Sequence, residues 1–462
     1  MHIEFYGATS GVTGSCHILR ANGHTLLLDC GLIQGRREEM EKNRIPFPFS
    51  PQEISAVILS HGHIDHSGRL PLLVKQGFTG PIYAQNATAD LLEILLQDAA
   101  FLQEKDAQFE NKQRLRSNQP LIEPLYRVED TTATLNRVVG LRYREKRTIL
   151  PGIQLRYQDA GHILGSCSVE IWLNENGREQ KLVFSGDLGQ YDTPILNDPA
   201  VIAEADHLII ETTYGNRLHR DRQGTIDEIG QIINDAAHQR GNLLIPAFAI
   251  GRSQEILYYL GKYYEQWNLE RWQVFLDSPM AIRASKIYWE YPHLYDEEAT
   301  RLRRQVNEMP HLKNLHLTQS PQESMAINNI KSGAIIISAS GMLTGGRILH
   351  HLKHNISRSG AHIMIVGYQA NGTLGRRLVD GETEVTIHGD EYRVKAKIHT
   401  VGGLSAHADR EDLMRWVGNF KTKPRVHLVH GEPEAKQCFE DLLKSRLDLQ
   451  TTIPTPGEVF EL

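Results

Sequence analysis

Six consecutive residues, His61-Gly62-His63-Ile64-Asp65-His66, place four metal-binding side chains directly behind the apolar run Ala56-Val57-Ile58-Leu59. A loop of this spacing can turn His61 and His63 to one side and Asp65 and His66 to the other, which suits two cations rather than one. Imidazole and carboxylate donors favour zinc or a similar transition ion, whereas calcium and magnesium prefer oxygen. A loop that is merely rich in histidine rarely concentrates four such donors after a buried strand. The loop cannot complete the coordination of two ions alone, so further donors must arrive from elsewhere. Gly161-His162 and Gly186-Asp187 qualify. Each follows a strand-like run, beside a glycine that lets the backbone come close to an ion. Taken singly, His162 is more often a packed structural histidine, and Asp187 reads equally as a helix cap or turn residue.

The elements that must carry these groups are short apolar strands. Ile3-Glu4-Phe5-Tyr6, Thr25-Leu26-Leu27-Leu28, Ala56 to Leu59, Lys181-Leu182-Val183-Phe184 and His207-Leu208-Ile209-Ile210 read as strands, several of them buried on both faces. Asp29, His61, Asp187 and Glu211 stand just past their C-terminal ends, where open α/β sheets hold their ligands. From about residue 213 to 395 strand and helix alternate. Asn242 to Ile245 precedes a helix from Ser253, and Gln273 to Leu276 precedes Ser278-Pro279, a cap followed by a proline in the first helical position. Gly333 to Ile337 precedes a glycine-rich turn and a helix near Arg347. Repeated strand-turn-helix units predict a parallel sheet with its own core. The closing residues return to the earlier pattern, with Val426-His427-Leu428-Val429 ending at His430. The reading is therefore a first domain, 1–212 and 396–462, split by an inserted domain, 213–395.

Bulk properties bound this picture. A chain of 462 residues exceeds what one core usually serves. Hydrophobic residues at 40% and charged residues at 23% describe a soluble globular protein, with no run near the roughly 18 apolar residues of a membrane span. No signal peptide is evident, so the cytoplasm is the expected compartment and no membrane partner is expected. Cys16, Cys30, Cys167 and Cys438 are too scattered for a cysteine metal site or a disulfide framework. The net charge of −6 gives no bulk attraction to nucleic acid, so any such binding needs a local basic groove or bound cations.

Taken in order, Asp29, the His61 to His66 cluster, His162 and Asp187 resemble the metallo-β-lactamase superfamily. That resemblance implies an αββα sandwich in which His61, His63 and His162 hold one ion and Asp65 and His66 a second. Asp187 would bridge the two, and Asp29 would orient the ligand loop from outside the ligand set. Downstream, Glu211-Thr212-Thr213-Tyr214-Gly215, Ser405-Ala406-His407-Ala408-Asp409 and Val429-His430-Gly431-Glu432 resemble the acidic and two histidine motifs of the β-CASP family. This group includes the nuclease subunit of the cleavage and polyadenylation machinery and bacterial and archaeal relatives that process RNA. The resemblance covers essentially the whole chain. It implies an α/β architecture, a metallo-β-lactamase αββα sandwich with an inserted β-CASP domain whose parallel sheet is flanked by helices. His430 becomes the remaining ligand of the second ion. His407 becomes a mobile acid for the leaving oxygen, with Glu211 on its other ring nitrogen; Asp65 and Asp29 complete the catalytic set.

The implied cofactor is two Zn2+ per chain, with Mn2+ as the alternative, and the implied reaction is attack of a shared hydroxide on phosphorus in single-stranded RNA. Whether cutting is internal or from an end stays open, as do a homodimer and protein partners. The rivals are DNA cleavage by the same machinery and a small-molecule thioester or lactone hydrolase. In the family a histidine as the last motif goes with RNA and valine with DNA, so His430 favours RNA; a small-molecule enzyme leaves the insert, His407 and Glu211 without a task. For phosphate contacts the candidates are Ser338, Ser340, Gly341, Met342 and Arg347, in a glycine-rich turn ahead of a helix. Ser278 and Arg252, in segments that also follow strands, join them, although such turns also arise for purely geometric reasons. The basic run Arg217 to Arg222 reads equally as a guide for a nucleic-acid strand or as a solvated helix flank.

Overall fold

The computed structural model describes residues 1–306 and 312–462. The chain forms two compact units, one of Met1–Leu218 with His407–Leu462, the other of His219–Ala406.

The first unit contains two seven-stranded sheets. In one, Glu458–Glu461, His2–Phe5, His17–Ala21 and His24–Leu28 run antiparallel, then Ala56–Ile58, Ile82–Gln85 and Val138–Leu141 continue in parallel. In the other, Thr451–Thr452, Arg425–Val429, His207–Glu211 and Arg178–Phe184 are parallel, and Cys167–Glu175, Ile153–Asp159 and Arg147–Leu150 complete it in antiparallel sense. The inner faces meet through Ile3, Phe5, Leu26, Leu28 and Ile58 from one sheet and Leu155, Tyr157, Val169, Ile171 and Phe184 from the other. Because side chains alternate across a strand, the same strands have a second apolar set on their outer faces. Leu27, Val57 and Leu59 pack under Leu70, Leu73, Leu92 and Leu96 of the helices Leu70–Lys75 and Asn86–Arg116. Val183, Leu208, Ile210 and Leu428 pack under Leu413, Trp416, Phe439 and Leu443 of the helices Arg410–Val417 and Pro433–Leu447. The result is helix, sheet, sheet, helix, the αββα sandwich expected from the motifs.

The second unit holds a six-stranded, wholly parallel sheet in the order Leu315–Leu317, Gln273–Leu276, Ala334–Ser338, Leu243–Pro246, His362–Ile365, Lys397–Thr400. Its central strands are buried throughout, as parallel strands covered on both faces must be. Ser278 caps the helix Pro279–Glu290 by accepting from the Ala281 amide, and Pro279 takes the first helical position. Among the described residues no helix is long and apolar enough to cross a membrane.

Candidate metal centre

Four of the expected ligands, and Asp29 behind them, follow strands of the sandwich. Asp29 follows His24–Leu28, His61 follows Ala56–Ile58, His162 follows Ile153–Asp159, Asp187 follows Arg178–Phe184 and His430 follows Arg425–Val429. Asp65 and His66 lie on the short helix Ile64–Ser67. Several of these turns need left-handed backbone: Asp29 has φ of 60°, His430 of 49°, Gly161 of 67° and Gly186 of 56°. A Cβ on Gly186 would come within 2.7 Å of the Cys167 carbonyl oxygen, so that turn is closed to larger residues.

The donor atoms converge in two groups. His61 Nε2 and His162 Nε2 each lie 3.1 Å from His63 Nδ1, and Asp187 Oδ2 is 3.5 Å from His61 Nε2 and 3.7 Å from His162 Nε2. In the second group His66 Nε2 is 3.2 Å from His430 Nε2, while Asp65 Oδ2 is 3.9 Å from the first and 3.6 Å from the other. Asp187 also touches this group, with Oδ2 3.3 Å from His66 Nε2 and Oδ1 3.6 Å from His430 Nδ1. Four ligands at bonds of about 2.1 Å in a tetrahedron stand roughly 3.4 Å apart, so these spacings suit cation sites. His61, His63, His162 and Asp187 form one group that could hold an ion, and Asp65, His66 and His430 another. The chemistry of the set also fits: Asp187 Oδ1 is buried with no hydrogen-bond partner among the described residues, an orphan that a cation would satisfy. Buried imidazole nitrogens aimed at one another at 3.1 Å likewise call for a positive centre between them.

The electrostatics prepare these groups. Burial pushes His61 and His63 below the usual histidine range, so both are neutral and free to donate a lone pair. Burial alone would raise the Asp187 carboxyl, but the rings of His430, His66 and His61 hold it well below the usual carboxylate range. Asp65 is likewise brought down to about 2, burial being outweighed by His430 and His66. Asp29 lies behind the donors, wholly buried. It accepts from His66 Nδ1 at 2.7 Å, from the Ser60 amide at 2.8 Å and from the hydroxyls of Ser60 at 2.9 Å and Ser15 at 3.2 Å. Its bond to Nδ1 fixes the ring so that Nε2 faces the other donors.

His407 sits beside this centre with Nδ1 3.2 Å from Glu211 Oε1 and 3.9 Å from Asp187 Oδ2. Burial works against its charge, but the charge and hydrogen bond of Glu211, then Asp187 and Asp65, raise it to about 9. Glu211 is itself fixed by the amides of Leu188 at 2.7 Å and Thr213 at 3.2 Å. Two supporting residues were not singled out from the sequence. Thr213 Oγ1 lies 3.1 Å from His430 Nδ1, and Ser60 Oγ lies 3.1 Å from His61 Nδ1. Thr213 lies within the Glu211 to Gly215 motif and Ser60 beside His61, but a lone hydroxyl has no pattern by which its role is found.

The phosphate candidates fall in the second unit, each engaged by its own neighbours. Ser338 Oγ donates to the Asp277 carbonyl at 2.7 Å, and Ser278 Oγ is the helix cap. Ser340 Oγ accepts from the Thr344 amide at 3.0 Å. The carbonyls of Gly341 and Met342 accept from Gln369 Nε2 and the Gly375 amide. Arg252 pairs with Glu255. Arg347 is tied to Asp277 Oδ1 at 2.7 Å and to the carbonyls of Thr318 and Gln319. Asp277 also accepts from Ser324 Oγ and His351 Nε2, both at 2.6 Å, forming a buried brace.

Three family models match the chain: the metallo-β-lactamase superfamily over residues 9–230, the β-CASP domain over 253–378, and the Zn-dependent metallo-hydrolase RNA specificity domain over 391–454. Ribonuclease TTHA0252 of Thermus thermophilus is 38% identical over 446 residues, covering 96% of each chain. The chain belongs to the β-CASP family of the metallo-β-lactamase superfamily. Other β-CASP matches include transcription termination factor FttA of Pyrococcus abyssi, 33% identical over 88% of this chain and 62% of that protein. FttA of Methanocaldococcus jannaschii is 28% identical over 98% of this chain and 70% of that protein. A crystal structure of a protein of unknown function from Enterococcus faecalis shares the fold, with a TM-score of 0.59 and 12% identity over 100% of this chain and 99% of the other.

Proposed function

We propose that this β-CASP protein is a zinc-dependent ribonuclease that hydrolyses phosphodiester bonds of single-stranded RNA. The observation that carries the reading is the pairing of two convergent donor groups around Asp187 with a glutamate-held histidine beside them. A small-molecule hydrolase needs the first of these but has no use for the second. The reading is supported by the name of the Thermus relative and by the match to an RNA specificity domain, where His430 lies.

His61, His63, His162 and Asp187 would hold one ion, and Asp65, His66, His430 and Asp187 the other. When bound, two divalent ions supply positive charge to the scissile phosphate and make a water a competent nucleophile near neutral pH. The side chains do the rest. Glu211 holds Nδ1 of His407, so the transferable proton is the one on Nε2. A histidine raised to about 9 is protonated at neutral pH and suited to protonating the departing sugar oxygen, a step worth about 10²–10⁴-fold. Asp29 keeps the ligand loop rigid, and the buried setting of Asp187 sharpens every interaction with the charge that develops.

The test uses purified protein with zinc or manganese on end-labelled RNA, matched DNA, and lactam and thioester reporters, beside Asp187→Asn and His407→Ala. RNA cleavage that disappears in Asp187→Asn and falls in His407→Ala is expected. Turnover of the reporters alone, or DNA cut in preference to RNA, would overturn the assignment.

A further inference from the structure

Lys436, on the helix that follows His430, is only 2% exposed, an unusual burial for an ammonium. It lies near the carboxylate of Glu432, and its Nζ donates to the carbonyl oxygen of Thr9. Thr9 belongs to the loop between the strands His2–Phe5 and His17–Ala21. That loop is closed at its base: a Cβ on Gly7 would come within 1.8 Å of the Gly14 carbonyl oxygen.

The loop touches the segments that carry His430 and Asp65, and Asp29 behind them. The Ala8 carbonyl accepts from the His430 amide at 2.7 Å, and the Gly11 carbonyl accepts from the Gly431 amide at 3.1 Å. At its far end the Ser15 amide donates to the Asp65 carbonyl at 2.8 Å, and the Ser15 hydroxyl reaches Asp29. His430 needs such restraint because its φ of 49° is a left-handed conformation that a residue with a side chain rarely adopts unaided. The loop reaches His61 of the first donor group through two intermediaries, Asp29 and Ser60, whereas it bonds directly to the backbone of His430 and Asp65.

We propose that Lys436 is a positioning residue: its buried ammonium pins the loop of residues 7–15 and, through the loop's carbonyls, holds His430 in the geometry that retains the second ion. The inference rests on the two-ion reading and goes beyond it by assigning the selective retention of one ion to a residue that touches neither.

The full chain is stripped of metal, and zinc binding is followed by competition with a chromophoric chelator for wild type, Lys436→Met, Lys436→Arg and the exposed control Lys444→Met. In Lys436→Met one of the two sites is expected to lose about 10–100-fold in affinity while the other changes less than about twofold. Lys436→Arg should recover part of the affinity, Lys444→Met should match wild type, and excess zinc should restore RNA cleavage to Lys436→Met. Should Lys436→Met not fold, Gly7→Ala is expected to give the same selective loss by spreading the loop. Equal weakening of both sites, or no weakening, overturns the inference while leaving the nuclease reading intact. A wild-type protein that binds fewer than two ions overturns both.

Discussion

Replacing Glu211 by Gln changes one charge with little change of shape, and its consequence for His407 can be worked from the structure. The histidine stands at about 9 against an ordinary 6.5 although burial acts downward, so its favourable partners supply more than that difference. Glu211 is the foremost of them, by its charge and by its contact at 3.2 Å; the other two, Asp187 and Asp65, are carboxylates that bound cations would neutralise. An opposite charge at this range is worth about 1–3 pH units, so its loss should lower the histidine by about 2, or roughly 3 kcal/mol. A raised histidine is active below its folded value and loses its proton as pH climbs through it. The basic limb of log kcat against pH should therefore move about 2 units toward neutrality in Glu211→Gln relative to wild type. Above the wild-type limb the two rates should differ by about 100-fold; well below the variant's limb they should draw together. The assay is single-turnover cleavage of end-labelled RNA at saturating zinc from pH 5.5 to 10, with His407→Ala as the profile lacking the limb. Coincident limbs in wild type and Glu211→Gln would refute the proton-holding role.

Three further outcomes are expected. Asp29→Ala should weaken zinc binding about 10–100-fold without removing a ligand, seen in a chelator competition, because His66 loses the 2.7 Å contact that fixes its ring. Chelation should lower the unfolding temperature by several degrees, since ions bound only to the native state add about 4 kcal/mol at 1,000 times Kd; an unchanged melting curve would contradict a native cation site. Asp277 sits at about 2 against 3.8 when free, burial being outweighed by bonds from His351, Ser324 and Arg347, so it contributes about 2 kcal/mol of stability above pH ~4 that is lost as pH falls through 2. Denaturant unfolding of wild type and Asp277→Asn should therefore show a gap that closes on acidification, and a gap that persists unchanged at pH 2 would speak against it.

The architecture was legible wherever short apolar runs met turn residues. The strand Gln273–Leu276 and its capped helix from Pro279 appear as read, because an apolar run, a serine cap and a proline all point the same way. The 31-residue helix Asn86–Arg116 was not anticipated among short strands. Its first half buries Leu91, Leu92, Leu95 and Leu96, but Phe101, Leu102, Phe109 and Leu115 are exposed in the second, so no continuous apolar stripe announces it. The antiparallel ribbon Arg147–Leu150, Ile153–Asp159, Cys167–Glu175 was also missed, because Arg156 and Glu170 pair on its polar face, joined by Lys181 of the neighbouring strand. Within the centre, histidines and aspartates gathered behind strands were readable because few other roles need that spacing. Lys436 and Thr213 were not, since the contacts by which they work reach residues more than 200 positions away. Around Arg347 the glycine-rich turn was readable, but the contacts of its guanidinium with Asp277 and the carbonyls of Thr318 and Gln319 were not, since those residues come from other strands and loops.

The central claim is that two ions share Asp187. Zinc-edge anomalous scattering from crystals of the metal-loaded protein tests it most directly. Two peaks about 3.5–4 Å apart are expected, one among His61, His63 and His162 and the other among Asp65, His66 and His430, with Asp187 touching both. A single peak, or peaks that leave Asp187 without a contact, would contradict it.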